Sequence, residues 1–390
     1  MNRRRITALA ILLLLGGGVA FFVFIRQAAA PGGPVPGGLP VIGGRARLGG
    51  AEGTGQTERP AAGRGQEKVT LVQIVTTDVL APTLSADGKS LYYIDRANGH
   101  ILTSDLDGNN EKTITNLTLL EAYAAVLSPQ KTYVTIFYHE SGITKKFVSS
   151  LATATPSRFL PQDVTSFAWS PDGRELAYLV TQGGETRLVI ADAALRQTRT
   201  AYTTPVPDFT LAWANRTTLL LVSRPSGLAP SLVLAVNPES RRAEPIIGGR
   251  PGVVAVAAPD GSGIIYSKSS STGAADTLAF RRWRDGTEVA LSIRTIAEKC
   301  AFARGAARAF CGVPSGAIPP PSPDVWYQGA VSFTDAIVEV NIESGATETR
   351  MAGEANLDVT WPFVSTDNRY LFFQDKNTGT LWRFTLSDQE

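Results

Sequence analysis

The stretch Trp169-Ser170-Pro171-Asp172-Gly173-Arg174-Glu175-Leu176-Ala177-Tyr178 reads as a strand end, a tight turn and the start of a second strand. Pro presets φ and Asp-Gly accepts positive φ, so these residue types make hairpin turns. Full or partial copies begin at Ser85, Ser128, Ser170, Ala214, Ala258, Ala303 and Ser365, with steps of 43, 42, 44, 44, 45 and 62 residues. A period in the low forties of short strands is the signature of a β-propeller blade. The expected fold is all-β, a seven-bladed propeller. Six or eight blades stay open, because the copies at Ala214 and Ala303 lack Pro-Asp-Gly.

Each copy implies four strands, as in Phe167-Ala168-Trp169, Glu175–Val180, Leu188–Ala191 and Thr198–Tyr202. The last copy supplies only three, and Val69–Val75 precedes the first blade with no blade of its own. Pairing that strand with the last blade completes four strands and removes an open edge, where unpaired backbone invites aggregation.

These repeats resemble TolB-like, WD-type propeller repeats over about residues 69–390. The segments that carry the resemblance include Ile94–Ile101 with Asp105–Gly108, and Phe373–Trp382. The resemblance implies the fold. Propellers of this kind host binding, scaffolding and enzyme-accessory roles alike. The whole layout also resembles membrane-anchored propellers of bacterial envelopes.

That layout has four parts: residues 1–5, a spanning helix over 6–26, a linker over 27–67 and the propeller over 68–390. Ile6–Ile25 is 20 residues without a charge, preceded by Arg3, Arg4 and Arg5. At about 1.5 Å per residue it crosses a bilayer core of roughly 30 Å. The positive-inside rule puts residues 1–5 in the cytoplasm and the body outside, as a single-pass cell-membrane protein. The alternative is a cleaved signal peptide ending at Ala28-Ala29-Ala30, although the apolar run is long for one. Residues 28–67 contain 12 Gly and five Pro and no aromatic residue, the composition of a disordered tether.

Residues 1–67 carry a net charge of +5 and the remainder −3, so the basic balance belongs to the N-terminal tail. A slightly acidic body has no footprint for a nucleic-acid backbone. No nucleic-acid partner is expected. A monomeric ectodomain is expected, with an envelope protein or a cell-wall glycan as partner.

Three constellations stand out. Cys300 and Cys311, the only cysteines, flank the sixth turn symmetrically about Gly305–Ala306. Opposed residues of a hairpin have Cβ atoms close to disulfide distance. A disulfide is therefore expected in an extracytoplasmic body, with two reduced buried thiols as the alternative. Second, the 62-residue step leaves an insertion of 18 residues around Pro314–Thr334, between second and third strands. It holds Pro319-Pro320-Pro321, Asp324, Trp326, Tyr327 and Phe333. Either these residues form a partner-contact site, with Asp324, Trp326, Tyr327 and Phe333 as its members, or the loop packs back as a plug.

Third, the position seven residues before each turn is acidic in four blades, at Asp78, Glu121, Asp163 and Asp358, with Asp208 one residue off in a fifth. These carboxylates are expected at the channel mouth, on the face opposite the Pro-Asp-Gly turns. Clustered like charge attracts a cationic group or a metal ion, calcium being the candidate. The alternative is ordinary solvated loop acid.

No catalytic residue and no cofactor is assigned. His100 and His139 are the only histidines, and no Gly-x-Ser-x-Gly elbow occurs. Asp105-Leu106-Asp107-Gly108-Asn109 has a superficial likeness to a calcium loop, but lacks its further ligands and reads as a hairpin turn. The leading functional expectation is a binding or scaffolding module at the cell envelope. The alternatives are a propeller lyase or hydrolase acting on envelope carbohydrate or lactone, and an accessory subunit of a membrane complex.

Overall fold

The computed structural model describes residues 70–386, apart from 116–117, 153–156 and 354. The expected segments 1–5, 6–26 and 27–67 lie outside the described residues. Among the described residues no helix is long and apolar enough to cross a membrane.

Seven four-stranded antiparallel sheets form seven blades, so the alternatives of six or eight blades fall away. Blade 1 runs Val79–Leu84, Ser90–Asp95, Ile101–Asp105 and Lys112–Thr115, from the inner to the outer strand. Blade 6 runs Cys300–Phe302, Arg308–Pro314, Asp335–Asn341 and Thr347–Met351. Blade 7 runs Val359–Val364, Tyr370–Asp375 and Leu381–Thr385, and its outer strand is Leu71–Val75 from the other end of the chain. The closing pair is antiparallel, with Leu71 opposite Phe384 and Val75 opposite Leu381.

The second strand of each blade is covered on both faces by neighbouring sheets. Leu219, Leu220 and Leu221 are fully buried in blade 4, as are Ile264, Ile265 and Tyr266 in blade 5. This is why second strands read as continuous apolar runs rather than alternating ones. Outer strands touch one neighbour and are correspondingly polar, as in Thr198–Thr204, where Ala201 is the most buried residue.

The serine of the repeated turn has a clear role. Ser170 Oγ accepts the Glu175 amide at 3.0 Å and donates to Asp172 Oδ1 at 2.7 Å, while Asp172 Oδ1 accepts the Arg174 amide at 3.2 Å. Gly173 adopts φ +67° and sits so close to the preceding turn that a Cβ would lie 1.9 Å from Gln130 Oε1. The same serine bonds recur at Ser85 and Ser365. These turns cover one face of the disc. Second-to-third loops and the connections between blades share the other face, called the mouth face below. Because Leu71 lies beside the outgoing end of Leu381–Thr385, the chain enters the propeller from the turn face.

In blade 6, Cys300 pairs directly with Cys311, and the two form a disulfide with Cα atoms 4.0 Å apart. Replacing both cysteines with alanine removes a cross-link that closes a short loop, which is worth about 3 kcal/mol in the chain-entropy account. A fall of that order in unfolding free energy, measured by urea denaturation of the oxidised protein and its double variant, is expected.

Candidate functional site

The mouth face is built on a repeated backbone bond. The amide of Arg96 donates to Asp78 O, His139 to Glu121 O, Thr181 to Asp163 O, Arg224 to Asp208 O, Ser269 to Pro251 O and Lys376 to Asp358 O. Each bond ties the start of a second-to-third loop to the residue that leads into the inner strand. All five expected carboxylates therefore occupy equivalent backbone positions, but their side chains have different surroundings. Asp78 is paired with Arg96 at 3.2 Å. Glu121, Asp163 and Asp208 are exposed. Asp358 is fully buried, so the expected ring of five is an arc of three exposed carboxylates, one paired and one internal. The reason is the insertion of blade 6, which lies over Asp358.

The insertion, residues 315–334, crosses the mouth face from blade 6 in both directions. Its peptide bonds Pro320–Pro321 and Ser322–Pro323 are cis. Toward blade 5, the Ser322 amide donates to Gly273 O at 2.8 Å, and Ser269 Oγ donates to Ser322 O. Toward blade 4, Asp324 Oδ2 accepts the Gly227 amide at 2.6 Å. Toward blade 7, the Lys376 ammonium donates to Trp326 O at 2.6 Å and Val331 O at 3.3 Å, and Ser332 Oγ bonds Asn377 Oδ1. A helical turn, Asp324–Tyr327, forms its centre.

Beneath that turn lies a buried charge cluster. Lys299 is fully buried, and its ammonium contacts Asp335 Oδ2 at 2.7 Å and Asp358 Oδ1. Asp358 also accepts the Trp326 indole N–H at 3.0 Å, Ser332 Oγ at 3.0 Å and the Phe333 amide at 3.0 Å. Asp335 Oδ2 accepts the Val359 amide at 2.7 Å. Gly312 permits this packing, since a Cβ there would lie 2.5 Å from Val359 Cβ. Two cations lie against the Trp326 ring, with Lys299 Nζ 4.8 Å and Lys376 Nζ 4.5 Å from its centroid. Cation–π attraction of this kind is worth about 2 kcal/mol or more when desolvated.

Trp326 is 0% exposed and Phe333 8%. These two rings pack into the core of the disc, as the plug alternative expects, and anchor the insertion there. Asp324 and Tyr327 are partly buried and bonded to Gly227 and Glu298. Tyr327 Oη donates to Glu298 Oε2 at 2.7 Å. Burial pushes the Glu298 carboxyl up to about 7, against the opposing pull of the Tyr327 hydroxyl and the Lys299 and Lys376 ammoniums. Burial likewise raises Asp335 to about 6, against Lys299, and lowers Lys376 to about 8.

Sequence reasoning missed Glu298, Lys299, Asp335 and Lys376. One signal for Lys376 was present: it follows Asp358 by the same 18 residues that separate Arg96 from Asp78. Lys299 carried no such mark. Among the described residues no group of three or more His, Cys, Asp or Glu side chains is placed to hold a metal ion. The Asp105 carboxylate accepts the Asp107 amide at 3.0 Å and the Asn109 amide at 2.8 Å, which makes that loop a hairpin turn. His139 stacks on Tyr123 with centroids 4.6 Å apart, and His100 contacts Thr118 Oγ1 at 3.4 Å.

Removing one partner from a buried ion cluster costs far more than removing a rim charge. Lys299→Met is expected to lower unfolding free energy by about 3–5 kcal/mol, because two carboxylates lose their common cation. Glu121→Gln is expected to stay within about 0.5 kcal/mol of the native protein in the same denaturation experiment.

No protein-family model and no curated protein matches the sequence. Solved structures do match. An oligogalacturonate lyase in complex with manganese is 12% identical, covering 82% of this chain and 93% of that chain with a TM-score of 0.59. An oligogalacturonate lyase from Vibrio parahaemolyticus is 10% identical, covering 83% and 95% with a TM-score of 0.58. A putative TolB from Agrobacterium tumefaciens is 15% identical, covering 56% and 83% with a TM-score of 0.42. At these identities the likeness is one of fold, and the chain is a seven-bladed β-propeller.

Proposed function

We propose that this chain is a membrane-anchored, extracytoplasmic propeller. It acts as a binding or scaffolding module at the cell envelope and engages a protein or cell-wall glycan with its mouth face. The observation that carries this reading is the position of the first strand. Leu71–Val75 begins on the turn face, so a tether held by residues 6–26 joins the disc on that face and leaves the mouth face free of the attachment. The mouth face combines exposed carboxylates at Glu121, Asp163 and Asp208 with exposed apolar side chains, namely Leu120 at 61%, Ile143 at 56% and Leu228 at 65%. Apolar side chains rimmed by polar ones mark interaction surfaces.

The reading is tested by placing photo-cross-linking residues in the full chain, in its native membrane. Positions Leu120, Asp163 and Leu228 on the mouth face are compared with Lys89 and Arg174 on the turn face. Discrete adducts from the mouth positions alone are expected. Adducts confined to the turn positions would reverse the orientation.

A second reading, an enzyme acting on envelope carbohydrate, is favoured by one observation. Glu298 and Lys376 are a carboxyl and an amine held near neutrality at the same mouth, the condition for proton transfer at neutral pH. Turnover of uronate oligosaccharides by the full-length protein, abolished in Lys376→Met, would favour it over binding alone.

A further inference from the structure

Lys299, Asp335 and Asp358 are packed for a reaction as well as for an ion pair. The side chains of all three are fully buried, and the Lys299 ammonium touches Asp335 Oδ2 at 2.7 Å and Asp358 Oδ1. The Trp326 and Phe333 rings wall the amine off, with centroids 4.8 Å and 5.3 Å from Nζ. An amine held against a carboxyl in a dry, apolar enclosure has the proximity that replaces a collision, and no bulk water to reverse a condensation. We propose that Lys299 and Asp335 condense to an intramolecular isopeptide bond, with Asp358 as the proton carrier. This inference rests on the geometry of the cluster and stands whether or not the chain is an envelope binding module.

The two aspartates are not equivalent. Asp358 accepts the Trp326 indole N–H with both oxygens, and its Oδ2 also accepts Ser332 Oγ and the Phe333 amide, each at 3.0 Å. A carboxyl bonded so fully on both oxygens is poorly placed to lose one. Asp335 Oδ2 accepts the Val359 amide at 2.7 Å, while its Oδ1 is buried with no hydrogen-bond partner. Burial also holds the Asp335 carboxyl up at about 6 against the pull of Lys299, which brings its acid form within reach at neutral pH. Asp335 is therefore the electrophile. Its Oδ2 remains as the carbonyl oxygen, steadied by the Val359 N–H as charge develops on it, and Oδ1 is the oxygen free to leave.

The step balances without a further reactant. Lys299 gives one ammonium proton to the Asp335 carboxyl, leaving an amine and a carboxylic acid. The nitrogen lone pair bonds to Asp335 Cγ, and the carbonyl electron pair moves onto Oδ2. Asp358 takes a second proton from the nitrogen and returns it to the hydroxyl, which leaves as water while the Oδ2 pair re-forms the carbonyl. The product is an amide from Lys299 Nζ to Asp335 Cγ. Three buried charges become one, and the survivor, Asp358, keeps its donors from Trp326, Ser332 and Phe333. Desolvating charges is expensive, so the enclosure favours the amide over the ions. The bond joins the residue before the inner strand Cys300–Phe302 to the third strand Asp335–Asn341, beside the disulfide that joins the inner strand to the second.

The test is peptide mapping of the full chain, denatured, reduced and digested with trypsin. Cleavage after Arg294, Arg304, Arg308 and Arg350 releases residues 295–304 and 309–350, which hold Lys299 and Asp335. They also hold Cys300 and Cys311, so reduction is needed to remove the disulfide as a link. The expected product is one branched peptide that survives reduction, resists cleavage after Lys299 and is lighter than the two segments together by one water. Tandem fragmentation is expected to place the branch at Lys299 and Asp335, and the branched form is expected to outweigh the unlinked one. Asp358→Asn is expected to leave the segments unlinked in a chain whose blade 3 amides, over Glu175–Gln182, keep native hydrogen-exchange protection. A folded Asp358→Asn chain that still links would overturn the role of Asp358. Separate segments from the native chain, cleaved after Lys299, or a water loss that maps to an Asp-Gly turn instead, would overturn the bond itself.

Discussion

Ring closure is the constraint on which everything else depends. Seven sheets stacked around an axis bury their faces only if the last meets the first, and here that contact is made by strands from opposite ends of the described chain. Leu71–Val75 completes the sheet of Leu381–Thr385, and Trp361 of blade 7 donates its indole N–H to Pro82 O of blade 1 at 3.0 Å. Without the closing strand, blade 7 would present an unpaired edge and the rows of apolar second strands on either side of the junction would face water. Closure also decides polarity, because it makes the chain enter from the turn face.

The insertion of blade 6 depends on that closed ring, since its contacts reach blades 4, 5 and 7. Its centre is an unusual choice of chemistry. A lysine with two aspartates, all fully or almost fully buried, is weak evidence for stability, because desolvating three charges offsets most of their attraction. What such a cluster provides is a single geometry: Asp358 accepts from Lys299, Trp326, Ser332 and the Phe333 amide, and no apolar replacement reproduces that set of directions. Trp326 and Phe333 of the insertion are thereby turned inward.

Much of this was legible in the chain. Turn spacing gave the blade count, the closing strand and the location of the insertion, because those features follow from local periodicity and from how many strands each period supplies. The cysteine pairing was legible for the same reason: register within one hairpin is arithmetic. The acidic positions were found as well, but their fates were not. Asp358 and Glu121 are equivalent in the repeat, yet one is an internal acceptor and the other a solvated rim charge.

The sequence by itself determined the repeat, the strand order within it and the placing of the two cysteines opposite each other in one hairpin, since each depends on residues close together in the chain. Only the tertiary structure decided which carboxylates are buried, where Trp326 points and why Lys299 exists. Those outcomes depend on contacts between residues 299, 326, 335, 358 and 376, which belong to two blades and an insertion. Their burial is set by what covers them after closure, and no local pattern records it.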